Sequence, residues 1–251
     1  MRNYLAAECY KIFRRKYLYI TLLVVLALEG LLIWGYWFTW SHGNTGVDFS
    51  GSLMTLFMMV SIGLYAAILT GDMVFSEQYK YNTLKNEVAY GTPRPRIYLG
   101  KLMVATLVAL MAAVVMVGVY LGFCWILLPH NEADGSALAT LGYVLAGALP
   151  LWLGAQALTM ACYFIIPNNT LAAFVVVALL GVLPPILQLC GLLIHPGFEH
   201  IRQLMPAVLL EQLYQRAFQT DYLGLCWIVG LVLTVAATLV GIVTFQKREI
   251  R

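Results

Sequence analysis

The sequence predicts an all-α polytopic membrane protein with six transmembrane helices. Three observations carry the prediction. Hydrophobic residues make up 61% of the 251 residues and charged residues 11%, with a mean hydropathy of +0.81; a soluble domain holds about 25% charged residues. Six apolar runs follow one another: Tyr17–Trp40, Ser52–Gly71, Ile97–Leu128, Ala137–Ile166, Thr170–Ile194 and Tyr222–Phe245. Each reaches the roughly 20 residues that a helix needs to cross the hydrocarbon core, and no run alternates as a barrel strand would. The basic residues, finally, are segregated. Arg2, Lys11, Arg14, Arg15 and Lys16 precede the first run; Lys80, Lys85, Arg94, Arg96 and Lys101 lie between the second and third; Lys247, Arg248 and Arg251 close the chain. Only Arg202 and Arg216 fall elsewhere. With both termini in the cytoplasm, the positive-inside rule is met by an even number of spans. The net charge of +3 is therefore topological and not a nucleic-acid footprint.

The whole of residues 1–251 reads as one transmembrane domain, because no polar stretch is long enough for a second. Residues 1–16 form a basic amphipathic helix, with Leu5, Cys9, Ile12 and Phe13 at helical spacing. Such a helix lies in the membrane interface, its cations near anionic headgroups. Fifteen polar-mixed residues before the first apolar run do not read as a cleavable signal.

Span one carries Glu29 near its middle. A carboxyl there is costly unless it faces protein or water, which makes it either a substrate-path residue or a neutral carboxyl bonded to a neighbouring helix. Trp34, Trp37 and Trp40 form an outer aromatic belt. Span two is charge-free up to Asp72.

The loop 72–101 is the longest polar run inside the chain. Asn82 or Thr83 can cap a short helix. Leu84, Val88 and Tyr90 fall towards one side of it, and Gly91 suits the left-handed position after its end. Thr92 reads as the next N-cap, with Pro93 at the first helical position. Span three holds a Gly118/Gly122 pair at the spacing that permits close helix approach. Span four carries Pro150 and Gln156 and ends at Pro167-Asn168-Asn169, so spans four and five form an antiparallel hairpin. Pro184-Pro185 predicts a bend in the outer half of span five, with Gln188 one turn beyond. Residues 195–221 read as helix lying on or dipping into the outer leaflet, interrupted at Pro206. The five cysteines read as small buried hydrophobes, and His195 and His200 as interfacial side chains.

Several chemistries are missing. There is no GxxxxGK(S/T) phosphate loop, no HExxH and no GxSxG. The chain is therefore not expected to act as an enzyme or to bind a cofactor. An ion-coupled carrier shows several ionisable groups within its spans, and here Glu29 stands nearly alone. Energy for transport would have to come from a partner.

The run FSEQYKYNTLKNEVAYGTPRPRIYLGKL, Phe75 to Leu102, resembles the first cytoplasmic loop of permease subunits of the type-2 ABC exporter family. Glu77, Thr83, Leu84, Lys85, Asn86, Gly91, Arg94 or Arg96, and Lys101 match the pattern of that loop. Glu8, Lys11 and Arg14 resemble the family's interfacial connecting helix, and Phe245, Lys247, Arg248 and Glu249 its ending. The resemblance implies a multi-pass permease of the bacterial cytoplasmic membrane, both termini inside, that pairs with a second permease, identical or homologous. It also implies two cytoplasmic ATPase subunits holding ATP and Mg. Membrane lipids surround such a chain, and no nucleic acid is involved.

The coupling set is then Glu77, Thr83, Leu84, Lys85, Asn86, Glu87, Val88, Tyr90, Gly91 and Arg94. Glu29, Gln156 and Gln188 are candidates for the substrate path. Chains of this length and loop type resemble the branch that exports peptide antibiotics, including lantibiotic and bacitracin immunity systems. Two readings compete with this one: a stand-alone ion-coupled carrier or intramembrane enzyme using Glu29, and a non-transporting assembly or sensor subunit.

Overall fold

The computed structural model describes residues 2–44, 46–75 and 83–247. Among them all regular structure is helical. α1 (Arg2–Phe13) turns at Arg14-Arg15 into α2 (Lys16–Ser41). α3 (Phe49–Val60) and α4 (Ile62–Phe75) follow, then the short α5 (Thr83–Ala89) and the long α6 (Arg94–Leu127). α7 (Asp134–Ile165) is antiparallel to α8 (Asn169–Val177), which runs through one π-helical turn, Ala178–Val182, into α9 (Leu183–Leu193). α10 (Gly197–Gln203) and α11 (Pro206–Leu213) lead to α12 (Thr220–Lys247).

Five helical stretches are long and apolar enough to cross a membrane, and six if α3 and α4 count as one span. The second predicted span is thus not a straight rod: α3 and α4 meet at Ser61 with a 52° bend. The pair nevertheless joins the two ends of the bundle. At its start, Asp48 caps α3 through Gly51 N–H at 2.6 Å and accepts from Asn131 of the α6–α7 loop at 2.6 Å. At its finish, Asp72 accepts from Asn169, at the opposite end of α7, at 3.1 Å.

Span five runs as one helical stretch, Asn169–Leu193. The helix does not stop at Pro184-Pro185. Pro184 and Pro185 offer no N–H to the preceding turn, and the π turn just before them takes up the misfit. Residues 195–221 fold as two short helices, and Pro206 opens the second.

α7 is the most enclosed of the long helices, and α12 packs along it. Small residues allow the approach. A Cβ on Gly230 would collide with the backbone of Pro150, and one on Gly154 would sit 3.1 Å from the Gly230 carbonyl. The Gly118/Gly122 pair, by contrast, faces no neighbour. Among the described residues three buried hydrophobic clusters result, the smallest being Ala157, Ala161 and Ala237 between α7 and α12. One fills the bundle around Leu53, Tyr120, Ala148 and Leu151. The second, around Phe75, Tyr98, Phe164 and Phe245, lies at the end that carries α1, α5 and the last turn of α12.

Candidate functional site

That second core ends in a cluster of charges. Lys101, on the second turn of α6, is 0% exposed. An ammonium so placed requires partners, and α1 supplies the first. Lys101 Nζ donates to Glu8 Oε2 at 3.0 Å, and Lys11 Nζ donates to Glu8 Oε1 at 2.6 Å. Glu8 is itself 2% exposed. Burial pushes its carboxyl upward, but the Lys101 charge and the bonds from both lysines outweigh burial and hold it below the usual range. Lys11 is moved the other way: burial would lower it, and Glu8 with Glu87 keeps it above the ordinary lysine value.

α5 joins the same cluster through Glu87. Its Oε1 accepts from Lys11 at 3.3 Å and from Lys101 at 3.4 Å, and its Oε2 accepts from the Tyr4 hydroxyl at 2.9 Å. Burial and the two carboxylates keep the Tyr4 phenol protonated, and so a donor. The Tyr4 ring lies against Gly100, where a Cβ would collide with it. Two carboxylates, two ammonium groups and a phenol thus tie three helices together with formal charges that cancel. The contacts are unequal. The Glu8 contacts, to Lys11 within α1 at 2.6 Å and to Lys101 of α6 at 3.0 Å, have the length of charge-assisted bonds, about 2.7–2.9 Å, or close to it. The two lysine contacts to α5 are longer.

The termination of α5 follows its sequence. Gly91 has φ +81°, the left-handed region. Its N–H bonds the Val88 carbonyl at 3.0 Å, and the Thr92 N–H bonds the Glu87 carbonyl at 3.3 Å. This pair of bonds is the Schellman motif. The start of α6 differs from expectation by one residue: Pro93 precedes the helix, Arg94 begins it, and Thr92 makes no cap. Pro93 already has an extended ψ of 132°, and its carbonyl accepts from Arg96 and Ile97.

The coupling set predicted from sequence divides between two surfaces. Leu84 is buried in the second core and Val88 packs against it, while Glu87 belongs to the charge cluster. Lys85, Asn86 and Tyr90 face outward. Tyr90 is 89% exposed and follows the last helical residue, so it does not share a side with Leu84 and Val88. Arg94 binds the far terminus: its guanidinium donates to the carbonyl oxygens of Phe245, at 3.0 Å, and Gln246, at the end of α12. A cation on the final carbonyls of a helix satisfies orphan acceptors and complements the dipole. Arg96 is exposed. Glu77, Asn82 and the side chain of Thr83 lie outside the described residues.

The three substrate-path candidates occupy three environments. Gln156 is 2% exposed, and its Oε1 accepts from Thr70 of α4 at 2.8 Å. It is sealed between α4 and α7. Gln188 is exposed on α9. Glu29 is 8% exposed on α2, and its Oε2 has no hydrogen-bond partner.

The family model described as ABC-2 family transporter protein matches residues 4–196. The chain belongs to the ABC-2 transporter family. It is a multi-pass ABC transporter permease, and membership implies partnership with ABC ATPase subunits. The match takes in every member of the charge cluster and ends before α10. No curated protein matches this permease. Sequence reading found Lys101, Glu8 and Glu87 one at a time and missed that they meet. The available signal was an acid on α1, an acid on α5 and a lysine one apolar turn into a span.

Proposed function

We propose that this permease is the six-span subunit of an ATP-driven exporter, with both termini in the cytoplasm, and that α5 is its ATPase-docking element. The division of α5 carries the reading. One side, Leu84 and Glu87, is anchored to α1 and α6; the other, Lys85, Asn86 and Tyr90, is free to meet a partner. A force applied to the free side reaches Lys101, and therefore α6, through Glu87. Two ATPase subunits and a second permease, identical or homologous, complete the assembly. ATP and Mg reside on the ATPases, since this chain carries no phosphate loop. The resemblance of the loop extends the reading to a peptide antibiotic as substrate and to self-protection as role.

The test is co-purification from native membranes in mild detergent. Lys85→Glu with Tyr90→Ala loses the ATPase while the chain remains folded. Glu87→Gln retains the ATPase but lowers substrate-stimulated ATP turnover. An ATPase that stays bound to the Lys85/Tyr90 variant rules out this docking face. A stand-alone carrier has one observation in its favour, the unpartnered Glu29 Oε2. That alternative requires transport by the chain purified without any ATPase, abolished by Glu29→Gln.

A further inference from the structure

A cavity of about 250 Å3 opens at the other end of the bundle, where α10, α11 and α12 meet. It lies beyond the segment matched by the family and takes no part in the docking scheme. Its polar lining consists of His200, Gln203, Gln212 and Arg216, and its apolar lining of Tyr222 and three leucines.

The two arginines near the cavity are placed differently. Arg202 and Arg216 are the two basic residues outside the three basic segments. Arg202 is spent on a two-pronged bond to Glu199, with contacts of 2.6–3.0 Å, and Glu211 acts on the same guanidinium. Arg216 has no carboxylate partner among the described residues. Its guanidinium sits over the Tyr222 ring, 4.7 Å from the centroid, and the Tyr222 hydroxyl is held by the Leu209 carbonyl at 3.0 Å. Phe218, at φ +64°, shapes the turn that carries Arg216. A bulky residue in that region is uncommon and costs backbone energy. Asp221 lies beside Tyr222 but does not line the cavity.

Glu199 engages Gln203 and His200 on one side of the cavity; the Arg216 guanidinium and the Gln212 carboxamide on the other side suit an anion. The leucines and the tyrosine ring suit an apolar body attached to it. The surroundings are those of a membrane interface, with Ile201, Tyr214, Phe218 and Trp227 exposed nearby in the chain. We propose that this cavity binds the phosphate headgroup region of an anionic phospholipid, with Arg216 as the anion ligand, Gln212 as supporting donor, and the leucines against the glycerol and first acyl carbons.

The test is native mass spectrometry of the full chain released from detergent, after equilibration with equimolar phosphatidylglycerol and phosphatidylcholine. Wild type retains phosphatidylglycerol over phosphatidylcholine by about tenfold, the factor one charge-assisted contact supplies. Arg216→Gln abolishes the preference and Arg216→Lys keeps part of it. Gln212→Glu places a carboxylate in the same lining without touching the arginine, so it remains informative if the arginine variant does not fold; it is expected to expel the lipid. Inorganic phosphate distinguishes the two sources of the anion. If it displaces the lipid at millimolar concentration, the site takes free phosphate and the lipid assignment is overturned. Equal retention of the two lipids by wild type, or an undiminished preference in Gln212→Glu, overturns it as well.

Discussion

The seam between α7 and α12 and the charge cluster between α1, α5 and α6 hold helices together by opposite means. At the seam, Gly154, Gly230 and Pro150 leave no side chain between two backbones. Dispersion contacts of that kind fall away steeply with distance, so the seam has one good arrangement. At the cluster, long side chains reach between helices. Glu87 is held by Tyr4 at 2.9 Å but by the lysines only at 3.3 and 3.4 Å. Its partners can lengthen or exchange while Glu8 stays bonded to both lysines. The proposed docking scheme, in which movement passes from α5 to α6, calls for a fixed keel and an adjustable joint, and the two regions differ in the corresponding way.

The comparison breaks most visibly at Lys101. Lys101→Met leaves Glu8 buried without its main counter-ion, and loss of one partner of a buried pair costs about 3–5 kcal/mol. Thermal unfolding in detergent should show the loss, and the double variant Lys101→Met with Glu8→Leu should recover much of it. A Lys101→Met protein as stable as wild type contradicts the buried pair. At the seam, Gly230→Ala forces α12 away from Pro150, at an expected cost of about 1–3 kcal/mol. Unlike the loss at the cluster, this one should have no compensating partner substitution on a charged residue.

Gly91→Val is a smaller and more local change. Nothing crowds a Cβ there, so only the positive φ opposes it, by about 1–2 kcal/mol. Hydrogen exchange should rise in residues 84–92 and stay constant in α7 and α12; uniform exchange throughout the chain contradicts this assignment.

The smallest effect is that of pH. Glu8 is held below its ordinary value of 4.5, so its contribution is complete above that pH and is lost as pH falls through the folded value. Lys11 is held above its ordinary 10.5, so its contribution is complete below that pH and is lost as pH rises through the folded value. Docking of α1 is accordingly strongest between about 4.5 and 10.5. Melting temperature should decline on the acid side in wild type and less so in the Lys101→Met, Glu8→Leu protein. Identical acid profiles would exclude Glu8 as the responsible group.

Much of the fold was legible in the residues. Uninterrupted apolar runs have no alternative to a helix in lipid, because every backbone polar group must be satisfied within the segment. Gly91 announced its own left-handed turn, since few other residues occupy that region without cost. The 52° bend at Ser61 was not legible: the run through span two has neither proline nor charge to mark a break. The π turn before Pro184 was half legible, as a misfit without a form.

By itself the sequence determined where the helices lie, which end carries the basic residues, and that α5 would be short and end at Gly91. These are local properties, decided by hydropathy, proline and glycine within a few turns. Only the tertiary structure decided that Glu8, Glu87 and Lys101 meet, that Gln156 is sealed off by Thr70, that Tyr90 points away from Leu84, and that Arg94 reaches the end of α12. Residues 93 or 151 positions apart in the chain become neighbours through helix packing. A pattern of residue types records which groups need partners, and packing alone chooses them.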